Sequence, residues 1–203
     1  MSRGFRRVAG FDEAGRGCLF GPVFAAAVVL DPGRPIRGLN DSKQVEPEVR
    51  QRLAGEIRVH ALAWAVASVG SAEIDRINIL QASRRAMKLA LESLAPPPDY
   101  LLVDALHLDT AIAQQAVIHG DALSRSIAAA SILAKVDRDA SMAEWDRVYP
   151  GYGFAGHKGY GTARHLEALA KLGPTPDHRL SFEPVRQAAG LGQMSLFASE
   201  AGQ

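Results

Sequence analysis

The residues of this chain whose types and spacing could do chemistry are four acids and one arginine set between glycines. Asp12 and Glu13 are adjacent and lead at once into Gly15, Arg16 and Gly17, while Asp104 and Asp121 stand further along. Hard divalent cations such as Mg²⁺ take oxygen ligands, and two ions roughly 3.5 to 4 Å apart can stabilise both the attacking and the leaving oxygen of phosphoryl transfer. Such a pair needs several carboxylates at one point, which neighbouring strand ends can supply. Each acid also has a plainer reading. Asp121 could be the N-cap of a helix, Asp104 could open a turn, and Glu13 could be solvated. A strand sends neighbouring side chains to opposite faces, so joint ligation by Asp12 and Glu13 requires the strand to end or twist there, as Gly15 and Gly17 would permit. Arg16 is either a surface arginine in a turn or a phosphate partner whose flanking glycines let backbone approach a sugar closely.

The elements that must position these residues are read from hydrophobic patterning. Val8–Asp12 and Pro22–Leu30 form two strands joined by a glycine-rich turn, the second buried on both faces because it does not alternate. A helix runs from Pro47 to Arg58 and a third strand from His60 to Val69. Ser71 and Glu73 open a helical stretch. Ile79–Leu94 is a helix stopped by Pro96, Pro97 and Pro98, and a strand follows at Tyr100–Val103. Ala116–Ile118 is a last strand, Leu123–Val148 a long helix, and Thr162–Leu172 another, after an irregular glycine-rich segment from Gly151 to Gly161. This order predicts a mixed sheet flanked by helices. Asp12 and Glu13 then end the first strand, Asp104 ends the fourth, and Asp121 precedes the long helix.

Composition sets outer bounds. With 203 residues the chain can bury one sizeable core, and its net charge of +1, from 23 basic and 22 acidic side chains, gives no global pull toward nucleic acid. Any such binding must come from local placement. One cysteine, Cys18, excludes an intramolecular disulfide and fits a reducing compartment, so a cytoplasmic location is expected. Met1–Arg7 is basic without the apolar stretch of a signal peptide, and no run reaches the roughly 20 apolar residues of a membrane span. A soluble monomer is expected. His157, His165 and His178 lack zinc-motif spacing and are not assigned to metal. Ser131 lacks a nucleophile elbow and reads as helix packing, so covalent catalysis is not suggested.

The motifs GFDEAGRGCLFGPVFAAAVVL (10–30), LNDSK (39–43), LLVDAL (101–106), HGDALSRSIAAASILAKVDRD (119–139), HKGYGTARH (157–165) and GPTPDHRLSF (173–182) follow one another across nearly the whole chain. In them the sequence closely resembles type 2 ribonuclease H in its bacterial form, ribonuclease HII. The resemblance implies a ribonuclease H-like fold: a five-stranded mixed sheet flanked by helices, with a C-terminal helical part. It implies a catalytic domain over residues 1–190, with the helical part at about 150–190, and a tail over 191–203. It also implies that Asp12, Glu13, Asp104 and Asp121 are the catalytic acids for Mg²⁺ or Mn²⁺, with two ions in the catalytic complex. One ion would activate water and the other would stabilise the leaving 3′ oxygen, giving 5′-phosphate and 3′-hydroxyl ends.

The substrate implied is an RNA-DNA hybrid or duplex DNA carrying a single ribonucleotide, cut on its 5′ side as in ribonucleotide excision repair. Gly15, Arg16 and Gly17 would read the ribose 2′-hydroxyl, the feature that distinguishes RNA from DNA, and Tyr160 would pack on the following deoxyribose. Asn40, Asp41, Ser42 and Lys43 match a stretch near the substrate backbone. Lys158, Arg164 and Arg179 also fall in matched motifs, with a surface position as their default. Gln193–Phe197 resembles the short peptide by which bacterial replication proteins dock on the sliding clamp; its other reading is Leu196 and Phe197 folding back onto the enzyme. Two alternatives compete. Type 3 ribonuclease H shares the fold but carries Gly-Thr-Gly and, usually, an N-terminal domain for which a first strand near Val8 leaves no room. A non-catalytic module binding hybrid duplexes would have no use for four converging acids.

Overall fold

The computed structural model describes residues 4–191; the Gln193–Phe197 segment lies outside them. Five strands, β1 (Val8–Ala14), β2 (Val23–Val29), β3 (Ala63–Val69), β4 (Tyr100–Asp104) and β5 (Gln114–Val117), form one sheet in the order β3-β2-β1-β4-β5. β1 pairs antiparallel with β2 and parallel with β4, and β4 pairs parallel with β5. The sheet is mixed, as expected.

Period-two alternation divides the core between the two faces. Val23, Ala25, Ala27 and Val29 of β2, with Ala9 and Phe11 of β1, pack against Ala82, Ala86, Met87 and Ala90 of α3 (Ile79–Glu92), which follows the short α2 (Ser71–Ile77). Ala26 and Val28 face the other way, onto Leu53 and Ile57 of α1 (Pro47–His60) and Ala129, Ile132 and Leu133 of α5 (Arg125–Val148). Small residues bring the layers close. A Cβ at Gly10 would fall 2.1 Å from the Ser126 carbonyl carbon, so only glycine lets the start of α5 cross the middle of β1.

Several boundaries differ from those expected. α1 continues to His60, so β3 opens at Ala63, where the Leu62 N–H has already joined the Val29 carbonyl of β2. The long helix does not begin at Leu123. A single turn, α4 (Gly120–Leu123), precedes Ser124, whose extended backbone (φ −127°, ψ 123°) breaks the helical path and whose hydroxyl caps α5 at the Ile127 amide. The 151–161 stretch contains one helical turn, α6 (Phe154–His157).

The C-terminal part adds α7 (Ala163–Leu172) and α8 (Glu183–Ala188). It docks through Phe20, which is fully buried, stacks on Phe154 with ring centroids 3.8 Å apart and packs with Met142 and Tyr152. Burial of one such ring contributes about 1.5–3 kcal/mol. Backbone bridges from Cys18 to Tyr160 and from Phe20 to His178 place the loop after β1 between two C-terminal segments. No helix among the described residues is long and apolar enough to cross a membrane.

Candidate active site

The parallel register of β1 and β4 ends at Phe11 and Val103, so the next residues, Asp12 and Asp104, stand side by side at the C-terminal edge of the sheet. Asp12 is buried at 6% exposure. Burial, then the neighbouring charges of Glu13 and Asp104, push its carboxyl well above the usual range, while the nearby Ser131 side chain and the Glu13 N–H, 2.7 Å from Oδ1, act the other way. Asp104 Oδ1 accepts the Gly120 N–H at 2.7 Å, which ties β4 to the turn that carries Asp121.

β1 does not end at Asp12. It runs on to Ala14, which pairs with Phe24, because the antiparallel ladder with β2 outlasts the parallel one with β4. Glu13 Oε1 accepts from Arg16 Nη1 at 3.1 Å, and Oε2 is buried without a partner. Burial raises the Glu13 carboxyl and the Arg16 charge opposes that rise. Arg16 therefore partners the acid near the end of the strand that leads into its loop. Asp121 is not the N-cap of α5, since Ser124 is. Its carboxyl is raised by burial and then by the neighbouring carboxylates of Asp41 and Asp104, and Lys43 counters the rise. The four acids thus connect through Asp104, but among the described residues no three His, Cys, Asp or Glu side chains already close around a point that could hold an ion.

Gly15 adopts φ +94°, and a Cβ there would sit 2.0 Å from Arg138 Nε. Arg138 is fully buried and donates from Nη2 to the Lys158 carbonyl at 2.8 Å, with its guanidinium 5.7 Å from the Tyr160 ring centroid. Arg179, for which a surface position was the default, is also fully buried. Its Nη1 donates to the Arg16 carbonyl and its Nε to the Gly21 carbonyl, each at 2.9 Å, so one planar group spans the loop. Burial lowers Arg179 to about 10, which leaves it charged at neutral pH. Lys158 is half-buried and Arg164 is exposed.

These segments line a cleft of about 470 Å³ bounded by Glu13, Gly15, Arg16, Gly17, Ser42, Lys43 and Tyr160, and also by Arg50, Ser131 and Lys135. Ser42 is buried and shares a 2.7 Å hydrogen bond with Ser131, while Tyr160 presents a ring at 40% exposure. Asn40 does not line the cleft; its Oδ1 accepts the Asp41 amide at 2.9 Å. Arg50 fastens the 42–45 loop by donating to the Ser42 and Val45 carbonyls, at 2.9 and 2.7 Å. Sequence reasoning missed Arg50 and Lys135 and read Ser131 as packing alone. Ser131, Lys135 and Arg138 recur at intervals of four and three along α5, a spacing that puts them on one helix face and could have flagged them.

The donor set is all oxygen, and Asp12 and Asp104 lie together with little compensating positive charge. One buried oxygen, Glu13 Oε2, has nothing to bind. That combination fits a hard divalent cation.

The family model for ribonuclease HII matches residues 9–185. A ribonuclease HII of Solibacter usitatus is 61% identical over 185 residues, which cover 91% of this chain and 81% of that one. Among solved structures, ribonuclease H2 of Pyrococcus horikoshii matches with a TM-score of 0.77 at 28% identity, over 92% of this chain and 98% of that one. Ribonuclease HII of Archaeoglobus fulgidus, solved in complex with PCNA, matches with a TM-score of 0.74 at 26% identity, over 88% and 96% respectively.

Proposed function

The chain belongs to the ribonuclease HII family and is an endonuclease of ribonuclease H type 2 with the ribonuclease H-like fold; on that premise we propose that its cleft cuts the RNA strand of RNA-DNA hybrids and incises duplex DNA on the 5′ side of a single ribonucleotide. The observation that carries this reading is the placement of Asp12 and Asp104 side by side at the sheet edge, with Glu13, the residue after Asp12, lining the same cleft as the Gly15–Gly17 loop and the Tyr160 ring.

In this reading Asp12, Glu13, Asp104 and Asp121 hold divalent metal, Mg²⁺ or Mn²⁺. Two bound ions would supply Lewis-acid activation of water and stabilisation of the leaving 3′ oxygen. The chain's own residues set the geometry. The Gly120 N–H orients Asp104, the Glu13 N–H orients Asp12, and Arg16 holds Glu13 Oε1 so that Oε2 is left for an ion. The space where a Gly17 Cβ would stand is open, so a ribose can approach the backbone there and offer its 2′-hydroxyl. Tyr160 packs on the neighbouring deoxyribose, and Ser42 and Lys43 meet the backbone of the duplex. Residues 1–190 act as one catalytic domain, with 191–203 as a tail.

The test compares three duplexes under Mg²⁺ and Mn²⁺: DNA with one ribonucleotide, a long hybrid, and plain DNA. Cutting 5′ to the lone ribonucleotide, leaving 3′-hydroxyl and 5′-phosphate ends, is expected, with plain DNA intact. Failure to cut the single-ribonucleotide duplex with either ion would overturn the assignment.

The Archaeoglobus relative forms a complex with PCNA. By analogy, Gln193–Phe197 is proposed to dock on a sliding clamp, an idea that deleting residues 193–203 without loss of clamp capture would refute.

A further inference from the structure

Two histidines outside the proposed chemistry admit one arrangement of protons. His165 Nδ1 lies 2.9 Å from the Tyr160 carbonyl, which can only accept, so Nδ1 carries the hydrogen. His178 Nδ1 lies 2.9 Å from the Thr175 backbone N–H, which can only donate, so that nitrogen is bare and the proton sits on Nε2. The two Nε2 atoms are 3.1 Å apart, and His178 therefore donates to His165. A chain of single polarity runs from the Thr175 N–H through His178 and His165 to the Tyr160 carbonyl. Both rings are buried, at 0% and 1% exposure, and burial keeps both neutral at physiological pH, His178 with its value down to about 3.

The chain joins the two segments that flank the loop after β1. Cys18 bridges to Tyr160 and Phe20 bridges to His178, while the Leu19 N–H reaches the Gly159 carbonyl and the Arg179 N–H reaches the Leu19 carbonyl, each at 2.9 Å. His157 stacks on His165 with centroids 4.5 Å apart, and Phe154 meets the His165 ring edge-on. The imidazoles therefore have fixed positions as well as fixed tautomers. A carbonyl held by a buried donor fixes its peptide plane, and the peptide plane sets where the Tyr160 ring leaves the backbone.

We propose that His165 and His178 are positioning residues: a neutral hydrogen-bond relay that sets the Tyr160 backbone and so the place where its ring meets the substrate sugar. The proposal rests on the reading of Tyr160 as the ring that packs on deoxyribose.

The test uses the full chain and two readouts: nuclear magnetic resonance of the histidine nitrogens and the Tyr160 ring, and the ratio of cleavage of single-ribonucleotide DNA to cleavage of a long hybrid. Protonation of His165 at Nδ1 and His178 at Nε2 is expected, and the opposite tautomers would overturn the relay. His165→Ala and His178→Ala should shift the Tyr160 ring resonances and lower the cleavage ratio by about tenfold, the scale of one lost buried hydrogen bond. His165→Asn, whose Nδ2–H takes the place of Nδ1–H, should recover most of both. Unchanged Tyr160 resonances in both alanine variants would overturn the positioning. If the alanine variants do not fold, His165→Asn and His165→Gln decide: retention of the native Tyr160 resonances by the asparagine variant alone supports the proposal, and equal spectra refute it. A Tyr160→Ala variant with an unaltered ratio would count against the tyrosine's role, leaving the resonances to judge the histidines.

Discussion

Arg179 donates its Nη1 to the main-chain carbonyl of Arg16 at 2.9 Å, across 163 residues of sequence. With Nε on Gly21, a single buried guanidinium fixes both ends of the loop that is proposed to sense ribose. Lysine has no planar fork and cannot reach both carbonyls. Arg179→Lys should therefore lose at least about tenfold in kcat/KM on single-ribonucleotide DNA and about 1–3 kcal/mol of stability. Steady-state kinetics and chemical denaturation check both, and native values for the lysine variant would contradict the bracing role.

Asp12 shows the opposite side of a built site, a charge held at a cost to the fold. Its folded-state carboxyl lies above the unfolded value, so it favours folding when protonated and disfavours it once pH has risen through the folded value. Asp12→Asn should abolish cleavage while duplex binding persists. In the absence of divalent ions at neutral pH the variant should melt a few degrees above the native chain. Added Mg²⁺ or Mn²⁺ should raise the melting temperature of the native chain and leave the variant's nearly unmoved. A lower melting temperature for the metal-free variant would sink this account.

Gly15 is constrained twice, by φ +94° and by Arg138 Nε at 2.0 Å from any added Cβ. Gly15→Ala should cost several kcal/mol or displace Arg138, with cleavage lost well before binding. By contrast, Gly17→Ala has open space around the new methyl. It should fold normally and lose activity only through approach of the sugar, a difference that melting curves and cleavage assays of the two variants resolve.

Acid should weaken the fold through the buried histidines. The folded-state value of His178, about 3, lies below its ordinary 6.5, so between those values the unfolded chain binds a proton that the folded chain refuses, and stability falls as pH drops. The slope approaches about 1.4 kcal/mol per pH unit for this group and vanishes above about 6.5. His165 adds in the same direction. Denaturation across that window should show a shallower acid slope in the His165→Asn/His178→Gln double variant. Equal slopes would refute the contribution.

Removal of the Ser124 cap should loosen the turn that carries Asp121. Ser124→Ala is expected to cost about 1 kcal/mol of stability and to weaken metal-dependent activity more than binding of the duplex, which titration with Mg²⁺ would measure.

Much of the molecule is legible in its sequence. The non-alternating β2 segment announced a strand buried on both faces, since nothing polar interrupts Val23–Val29. The proline run after α3 marked its end, and acids at strand ends marked where a sheet edge could gather charge. The misplacements were local: the α1–β3 junction moved because helical hydrogen bonds reach His60, and α5 started late because the extended backbone at Ser124 separates it from the turn that holds Asp121.

What the sequence by itself determined were the five strands and the longer helices, the acids that could serve as oxygen donors and the family, because hydrophobic period, turn chemistry and contiguous motifs are properties of neighbouring residues. Tertiary structure alone decided that Arg179 is buried, that Arg16 partners Glu13, that Asp121 faces Asp41, and that the Nε2 atoms of His165 and His178 meet. An arginine or histidine looks the same in sequence whether it is solvated or buried. The contacts that settle the matter for Arg179 come from residues some 160 positions away, brought near only when the C-terminal segments pack over the loop after β1.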